Sequence, residues 1–188
     1  MPNVLALNDP FEGIFKLVLE DINNPLTQYA NQRYYRNINN LSSVFSLSEV
    51  DYNILMWAHY ADNHKGICIE FSTNNPNSIF HTIKQVQYSE NIPIVHRNNR
   101  SDKELVDEIF LNKTRDWDYE KEWRIISSKS FYYEPISEFD ITGVILGERI
   151  SAVDEEWVLD WLSDYSHIKL YKCRMSKDSY KMNIDKVK

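Results

Sequence analysis

Two carboxylates and a guanidinium alternate along residues 120–124, where Glu120, Glu122 and Arg124 are two positions apart. If the end of this segment is extended, the three side chains share one face, because successive side chains of a strand point to opposite faces. Closely spaced carboxylates repel each other, so their proton affinities can separate while Arg124 keeps one of them ionised. The same array is typical of a solvated strand face whose charges pair with neighbours. Spacing alone does not decide between these interpretations.

A second group of candidates lies in residues 56–66, which contain Trp57, His59, Tyr60 and His64. A helix here places His59 on a stripe of apolar side chains, so we predict that His59 is largely buried and hydrogen-bonded. A catalytic role is the alternative for His59, and Trp57 and Tyr60 can either pack in the core or form a stacking surface. His59 and His64 are five residues apart and face different sides of a helix, so no metal site is predicted.

The elements that position these residues follow from periodicity and capping signals. We predict helices over residues 11–22, from 48 or 51 to about 63, from the capping box at 101–104 onward, and over 153–165. We predict strands over residues 43–48, 67–71, 79–88, 122–127, 141–146, 168–174 and 180–184, and a loop over 91–100. Strands outnumber helices late in the chain, so the predicted fold class is α+β, with mixed or antiparallel sheets flanked by helices.

Length and composition narrow the class of protein. The chain has 188 residues with only 4 Gly and 6 Pro and no repeat or linker, so we predict a single domain over residues 1–188. The formal net charge is −7, and no basic patch for nucleic acid is evident. No apolar run suits a signal peptide or a membrane span, so we predict no membrane association and a cytoplasmic location. Cys68 and Cys173 lie in apolar stretches where buried free thiols are common.

Several segments resemble a bacterial protein family, the domain of unknown function 2971, which recurs in genomic islands and phage-associated loci. The residues that carry the resemblance are Leu7-Asn8-Asp9-Pro10-Phe11-Glu12, Phe45-Ser46, Met56-Trp57-x-His59-Tyr60-Ala61, Gly66-Ile67-Cys68, Trp117-x-Tyr119-Glu120-Lys121-Glu122-Trp123-Arg124 and Val144-Ile145-Leu146-Gly147. Members of the family usually carry a strand and a helix ahead of the first of these segments. The resemblance therefore implies that this chain lacks its usual N-terminal element.

The family in turn resembles, more distantly, the ADP-ribosyltransferase fold. That fold carries a His or Arg on an early strand, a Ser or Tyr on a middle strand and a catalytic Glu, often within Glu-x-Glu, on a late strand. The resemblance implies that Glu122 and Glu120 are catalytic and that NAD is the cofactor, consumed as a substrate. It implies an NAD-binding site formed by Ser46, Trp57, His59, Tyr60 and Arg124.

The implied chemistry is the cleavage of NAD, in which positive charge develops on the ribose as nicotinamide leaves. An ionised Glu122 is expected to stabilise that charge, and Glu120 to orient or deprotonate the acceptor. The implied activity is that of an ADP-ribosyltransferase, a toxin or a component of phage defence, on an acceptor or protein partner that the sequence does not identify. Since the early motif is missing, the alternative is a non-catalytic module that binds a nucleotide or a protein. Whether the protein is an enzyme stays open.

Two expectations make this site testable. Ser46, Tyr60 and Glu122 are distant in sequence and are expected to approach one cleft, because a ligand site needs convergent polar groups in a concavity. Glu122→Gln is expected to keep the fold, since the amide is nearly isosteric with the carboxylate.

Overall fold

A computed structural model describes residues 7–18, 38, 42–96, 100–127 and 135–187. The strands are β1 (Lys16–Val18), β2 (Ser43–Ser48), β3 (Ile67–Phe71), β4 (Lys84–Gln85), β5 (Gln87–Ser89), β6 (Ile94–His96), β7 (Asn112–Thr114), β8 (Glu122–Ser127), β9 (Ile141–Leu146), β10 (Lys169–Met175) and β11 (Met182–Lys186). The α-helices are α1 (Ile54–Tyr60), α2 (Asp102–Phe110) and α3 (Ala152–Ser163), and 3-10 helices span Ile79–Thr82, Arg115–Glu120 and Glu138–Asp140. Parallel and antiparallel pairings occur together with helices, which confirms the α+β class.

These elements form two compact units, each built from two stretches of the chain. Unit 1 comprises the described residues of Met1–Ser48 and Ile83–Glu134, and unit 2 comprises those of Glu49–Thr82 and Pro135–Lys188. Each unit has its own sheets and its own apolar core. The prediction of a single domain over residues 1–188 that lacks an N-terminal strand and helix stays a prediction.

Unit 1 contains an antiparallel sheet in the order β2-β8-β4 and two parallel pairs, β1 with β6 and β5 with β7. β2 and β8 have the bounds predicted from the sequence. The predicted capping box opens α2: the Glu104 backbone N–H donates to the Ser101 hydroxyl, and the Glu104 carboxylate accepts from the Ser101 backbone N–H. The core of unit 1 includes Phe15, Val44, Val95, Leu105, Val106, Ile109 and Phe110.

Unit 2 contains a four-stranded sheet in the order β11-β10-β9-β3, in which β9 and β10 are parallel and the other pairs antiparallel. β9 is buried on both faces, because its alternate residues enter two separate clusters. Ile145 packs with Trp57 of α1, whereas Val144 and Leu146 pack with Leu162 of α3. The sheet therefore carries one helix on each face.

Three of the predicted elements are wrong. The helix predicted over residues 11–22 is absent at 11–18, where a turn leads into β1, and residues 19–22 lie outside the described residues. The Asp9 carboxylate accepts from the Phe11 backbone N–H and Gly13 has φ 68°, so the chain turns towards its pairing with β6. The loop predicted over 91–100 contains that partner strand. The strand predicted over 79–88 is a 3-10 helix followed by β4 and β5.

Helix α1 presents a different side to the core from the one predicted. It begins after Asn53, whose side chain accepts from the backbone N–H groups of Leu55 and Met56. Trp57 is buried within the helix, and Ala61, which follows its last residue, is also buried. This side packs against Ile145 of the sheet. His59 lies outside this contact and is exposed, so the prediction that His59 is largely buried is wrong.

Candidate functional site

Five charged side chains of unit 1 meet in its interior: Glu12, Lys113, Glu120, Glu122 and Arg124, which we call the ion network. Each of these side chains is at most 7% exposed. The network gathers residues from the turn before β1, from β7, from the end of a 3-10 helix and from β8. Glu122 and Arg124 share a face of β8 as predicted, whereas Glu120 ends a 3-10 helix and is not part of that strand face. All three residues are buried, so they do not form a solvated strand face.

Arg124 is the centre of the network and is 1% exposed. Its Nε and Nη2 donate to the two oxygens of Glu122 at 2.7 and 2.9 Å. Its Nη1 and Nη2 donate to the two oxygens of Glu12 at 2.9 and 2.5 Å, and Nη1 also donates to the Phe110 carbonyl at 2.8 Å. A guanidinium has five N–H donors, so every donor of Arg124 is used. Paired bonds of this kind fix both carboxylates in orientation as well as in charge.

Lys113 joins the third carboxylate to the network. Its Nζ donates to Glu120 Oε2 at 2.5 Å and to Glu122 Oε2 at 2.9 Å, and it lies 3.7 Å from Glu12 Oε1. The Trp117 ring centroid lies 5.1 Å from the same ammonium, within the range of a cation–π contact. Three carboxylates thus face two cations among side chains that are at most 7% exposed.

The protonation of the network follows from burial and pairing. Burial by itself raises the pKa of Glu122. The opposing effects are larger and lower this pKa below its ordinary value: they come from the hydrogen bonds and charge of Arg124, the charge of Lys113 and the Ser46 hydroxyl. Burial lowers the pKa of Lys113, but Glu122 and Glu120 outweigh it and raise this pKa above its ordinary value. Both groups are therefore charged at neutral pH.

Two hydroxyl groups hold the backbone around Glu122, and the conformation of Lys121 bends it. The Tyr88 hydroxyl accepts from the Glu122 backbone N–H at 2.8 Å, and the Ser48 hydroxyl donates to the Glu120 carbonyl at 2.7 Å. Lys121 has φ 46°, a left-handed conformation that separates the 3-10 helix from β8. This kink lets Glu120 and Glu122 reach the same interior volume although the first is not in the strand.

A cavity of about 350 Å³ adjoins the network in unit 1. Glu12 and Lys113 line it together with the segments 89–93 and 112–114. Four acidic residues line this cavity, Asp9, Glu12, Glu90 and Asp116, and Lys113 is the one basic residue among its described lining. The ammonium of Lys113 already contacts two carboxylates, so the cavity is acidic.

The residues predicted for one site are distributed over both units. Ser46, Glu120, Glu122 and Arg124 lie in unit 1, where Ser46 of β2 lies opposite Arg124 of β8. Trp57, His59 and Tyr60 lie in unit 2. The approach of Tyr60 to Ser46 and Glu122 therefore stays a prediction.

Two of the unit 2 candidates differ in exposure. Trp57 is 3% exposed, packs in the core and donates its indole N–H to the Asp51 carbonyl at 2.6 Å. Tyr60 is 49% exposed, and its ring centroid lies 6.3 Å from that of His59. Packing is therefore the observed role of Trp57, whereas Tyr60 and His59 are accessible.

The family comparison matches a segment that contains most of the network. Residues 56–125 match the model of DUF2971, a protein family of unknown function. The family resemblance drawn from the sequence motifs is confirmed over this segment. No curated protein and no solved structure matches the chain. The more distant resemblance to ADP-ribosyltransferases stays a prediction.

Two members of the ion network were not predicted as site residues. Glu12 lies ahead of the DUF2971 match but within the motif at residues 7–12, so its signal was membership in that motif. Lys113 lies within the match, but no sequence pattern marks it as a site residue. It follows a predicted helix, in a stretch without clear hydrophobic periodicity. Among residues 7–187, as far as they are described, no group of three or more His, Cys, Asp or Glu could hold a metal ion. None of the described helices is long and apolar enough to cross a membrane.

Proposed function

We propose that unit 1 is a non-catalytic binding module whose acidic cavity takes a positively charged group, such as the lysine or arginine side chain of a protein partner. One observation carries this proposal: both carboxylate oxygens of Glu122 are already bonded to Arg124 and Lys113. A carboxylate held in this way has to break charged hydrogen bonds before it can bind the ribose of NAD, which is costly in a buried site.

The charge of the cavity also favours binding of a positively charged group over binding of NAD. Asp9, Glu12, Glu90 and Asp116 line it, and the charge of Lys113 is shared with Glu120 and Glu122. A negative cavity attracts an ammonium or guanidinium and repels the pyrophosphate of a dinucleotide. The ion network serves here as a rigid wall that fixes Glu12 at the cavity.

The test is an NMR titration with a capped Gly-Lys-Gly peptide and with the same peptide acetylated on the lysine side chain. The charged peptide should shift the backbone amides of residues 89–93, and the acetylated peptide should not. Asp116→Asn removes an exposed acid of the cavity and should weaken binding about 2- to 5-fold, as expected for one exposed charge. Asp118→Asn is the matched control, because Asp118 pairs with Lys121 and does not line the cavity. Equal shifts with both peptides, or none, contradict the proposal.

A second candidate is an NAD-dependent ADP-ribosyltransferase of a bacterial or phage conflict system, located in the cytoplasm. The pairing of β2 with β8 favours it, because Ser46 lies opposite Arg124, two positions from Glu122. A middle-strand Ser near a late-strand Glu is the arrangement that the resemblance implies. The test is nicotinamide release from NAD by wild type and by Ser46→Ala. Release that falls in Ser46→Ala without a change in melting temperature supports transferase activity, and no release by folded wild type supports the binding module.

A further inference from the structure

The outer side of α3 carries an apolar stripe that faces solvent. Val153, Trp157 and Trp161 are all exposed, and Trp157 is 70% exposed. They follow one another at intervals of four residues, so their side chains adjoin along the helix. The helix packs on the sheet with another side, through Val158 and Leu162. The core of unit 2 therefore does not require the exposed stripe.

Three further rings continue the stripe beyond the end of α3. The ring centroid of Trp161 lies 5.5 Å from that of Tyr165, which lies 6.3 Å from that of His167. The His167 centroid lies 5.2 Å from that of Phe139, which is also exposed. We call these six residues the aromatic patch: Phe139, Val153, Trp157, Trp161, Tyr165 and His167. Contiguous exposed apolar patches mark interaction sites, and aromatic residues are enriched in interfaces.

A row of acids borders the aromatic patch. Glu156, Asp160 and Asp164 are exposed, and each lies three residues after a patch residue and therefore beside it on the helix. Among the residues that the structure describes, these three form no ion pair, whereas Glu155 of the same helix pairs with Lys172.

The position of these acids is unfavourable within the chain itself. They are spaced four residues apart and repel one another. Asp160 lies in the last turn of α3 and Asp164 is its C-cap, where the helix dipole is already negative. A cation placed beside the patch would relieve both effects.

The opposite charge is found in the next part of the same unit. Residues 150–168 contain five acids and no lysine or arginine, whereas residues 169–187 contain six lysines and arginines and two acids. We call residues 174–181, which connect β10 to β11, the basic turn. Its charged residues are all exposed: Arg174, Lys177 and Lys181 against Asp178. The ring of Tyr180 lies among them and is 101% exposed.

The basic turn and one end of the aromatic patch lie at opposite ends of the sheet. Phe139 and His167 precede the parallel strands β9 and β10, whereas the basic turn follows β10. β10 has seven residues, so its two ends are roughly 20 Å apart. The basic turn therefore points away from the end of the patch where Asp164 lies, and a second molecule is needed to bring the two charges together.

We propose that the basic turn of a second copy of this chain docks on the aromatic patch, head to tail. Tyr180 packs against the exposed Trp rings, and the bases of the turn face Asp160 and Asp164. Tryptophan, tyrosine and arginine are the residues that contribute most to binding energy in interfaces. A contact between two different surfaces leaves one of each unused, so assembly continues into a ring or a chain. The proposal involves unit 2 alone and is independent of the functions proposed for unit 1.

The experiment is sedimentation velocity of the full chain from micromolar to millimolar concentration. The average mass of wild type should rise with concentration beyond that of a dimer, and added salt should lower it, because salt screens the charges. Trp157→Ala and Tyr180→Ala should each weaken association at least about tenfold, as expected for a central interface residue. Both side chains are exposed, so the melting temperature should not change.

A mixture of the two variants tests the head-to-tail arrangement. Trp157→Ala keeps the basic turn intact and Tyr180→Ala keeps the aromatic patch intact. Together they should form a one-to-one complex with about the wild-type affinity of a single contact, and nothing larger. A symmetric dimer through the patch would leave Tyr180→Ala unaffected and would overturn the proposal, as would a mixture that forms no complex.

Tyr52→Ala is the matched control. Tyr52 is an exposed aromatic residue of unit 2 and precedes α1, which lies on the other face of the sheet, so this variant should associate as wild type does. Wild type that stays monomeric at millimolar concentration would overturn the proposal. Association lost in Asp116→Asn but kept in Trp157→Ala would place the basic turn in the acidic cavity of unit 1 and would also overturn it.

Discussion

Loss of the Glu122 charge is expected to destabilise the protein. The near-isosteric shape of glutamine had instead led us to expect that Glu122→Gln keeps the fold. Glu122→Gln removes a partner from Arg124 and from Lys113, which are 1% and 7% exposed, and turns an amide N–H group towards their donors. Breaking a buried ion pair by removing one partner costs about 3–5 kcal/mol. For a chain of this length each kcal/mol lowers the melting temperature by about 2–4 °C, so the expected loss is about 6–20 °C.

The assay is thermal unfolding followed by circular dichroism at neutral pH, with urea unfolding as a second measure. Asp118→Asn is the control, because it breaks an ion pair whose side chains are 45% and 49% exposed and should cost less than about 1 kcal/mol. Glu120→Gln should fall between the two variants, since its ion pair is with Lys113. A melting temperature of Glu122→Gln within 2 °C of wild type would refute the reasoning that the network stabilises unit 1.

Three other outcomes follow from the structure. Gly147→Ala should lower the free energy of unfolding by about 1–3 kcal/mol or more, because its Cβ would meet the His64 carbonyl at 2.2 Å; urea unfolding measures this. The pKa of Glu122 is lowered in the folded protein, so stability should fall as pH drops below the ordinary Glu pKa of about 4.3. The pKa of Lys113 is raised, so stability should also fall as pH rises above the ordinary Lys pKa of about 10.4. The melting temperature measured against pH tests both. Burial raises the pKa of the Cys68 thiol to about 11, so alkylation of native protein at pH 8 should be much slower than that of a free thiol.

Each of these outcomes has a control. Gly143→Ala should be milder than Gly147→Ala, because its Cβ would meet a Tyr171 side-chain atom at 3.1 Å rather than a backbone oxygen. A flat melting temperature between pH 3 and 7 would contradict the ionised network. Alkylation of Cys68 should become fast in urea, and equal rates with and without urea would contradict its burial.

Some elements could be predicted from the sequence because their signals are local. The bounds of β2, β8 and β9 agree with those predicted from the sequence, and the capping box at Ser101 opens α2 as its residue types indicate. The free thiols of Cys68 and Cys173 likewise agree with their apolar surroundings. These features depend on neighbours a few positions away, which the sequence displays directly.

The orientation of α1 and the pairing of β1 with β6 could not be predicted in the same way. Several stripes of residues 52–63 are apolar enough to be buried, and contact with Ile145 decides in favour of the one that contains Trp57. β1 has three residues, too few for a periodic signal, and it exists because Ile94–His96 lies beside it. The buried side of α1 and the formation of β1 are therefore determined by tertiary contacts, because they depend on which surface each segment packs against.

The candidate site likewise depends partly on local sequence and partly on tertiary contacts. The spacing of Glu122 and Arg124 determined that their side chains could act together, because a two-residue period places strand side chains on one face. Glu120 joins them through the left-handed residue Lys121, which the spacing does not indicate. Only the tertiary structure decided that this face is an interior, since Glu12 reaches Arg124 from 112 positions away and Lys113 comes from a different strand. Burial excludes water and leaves these charges to pair with one another, which is why the same residues form a locked network and not a solvated strand face.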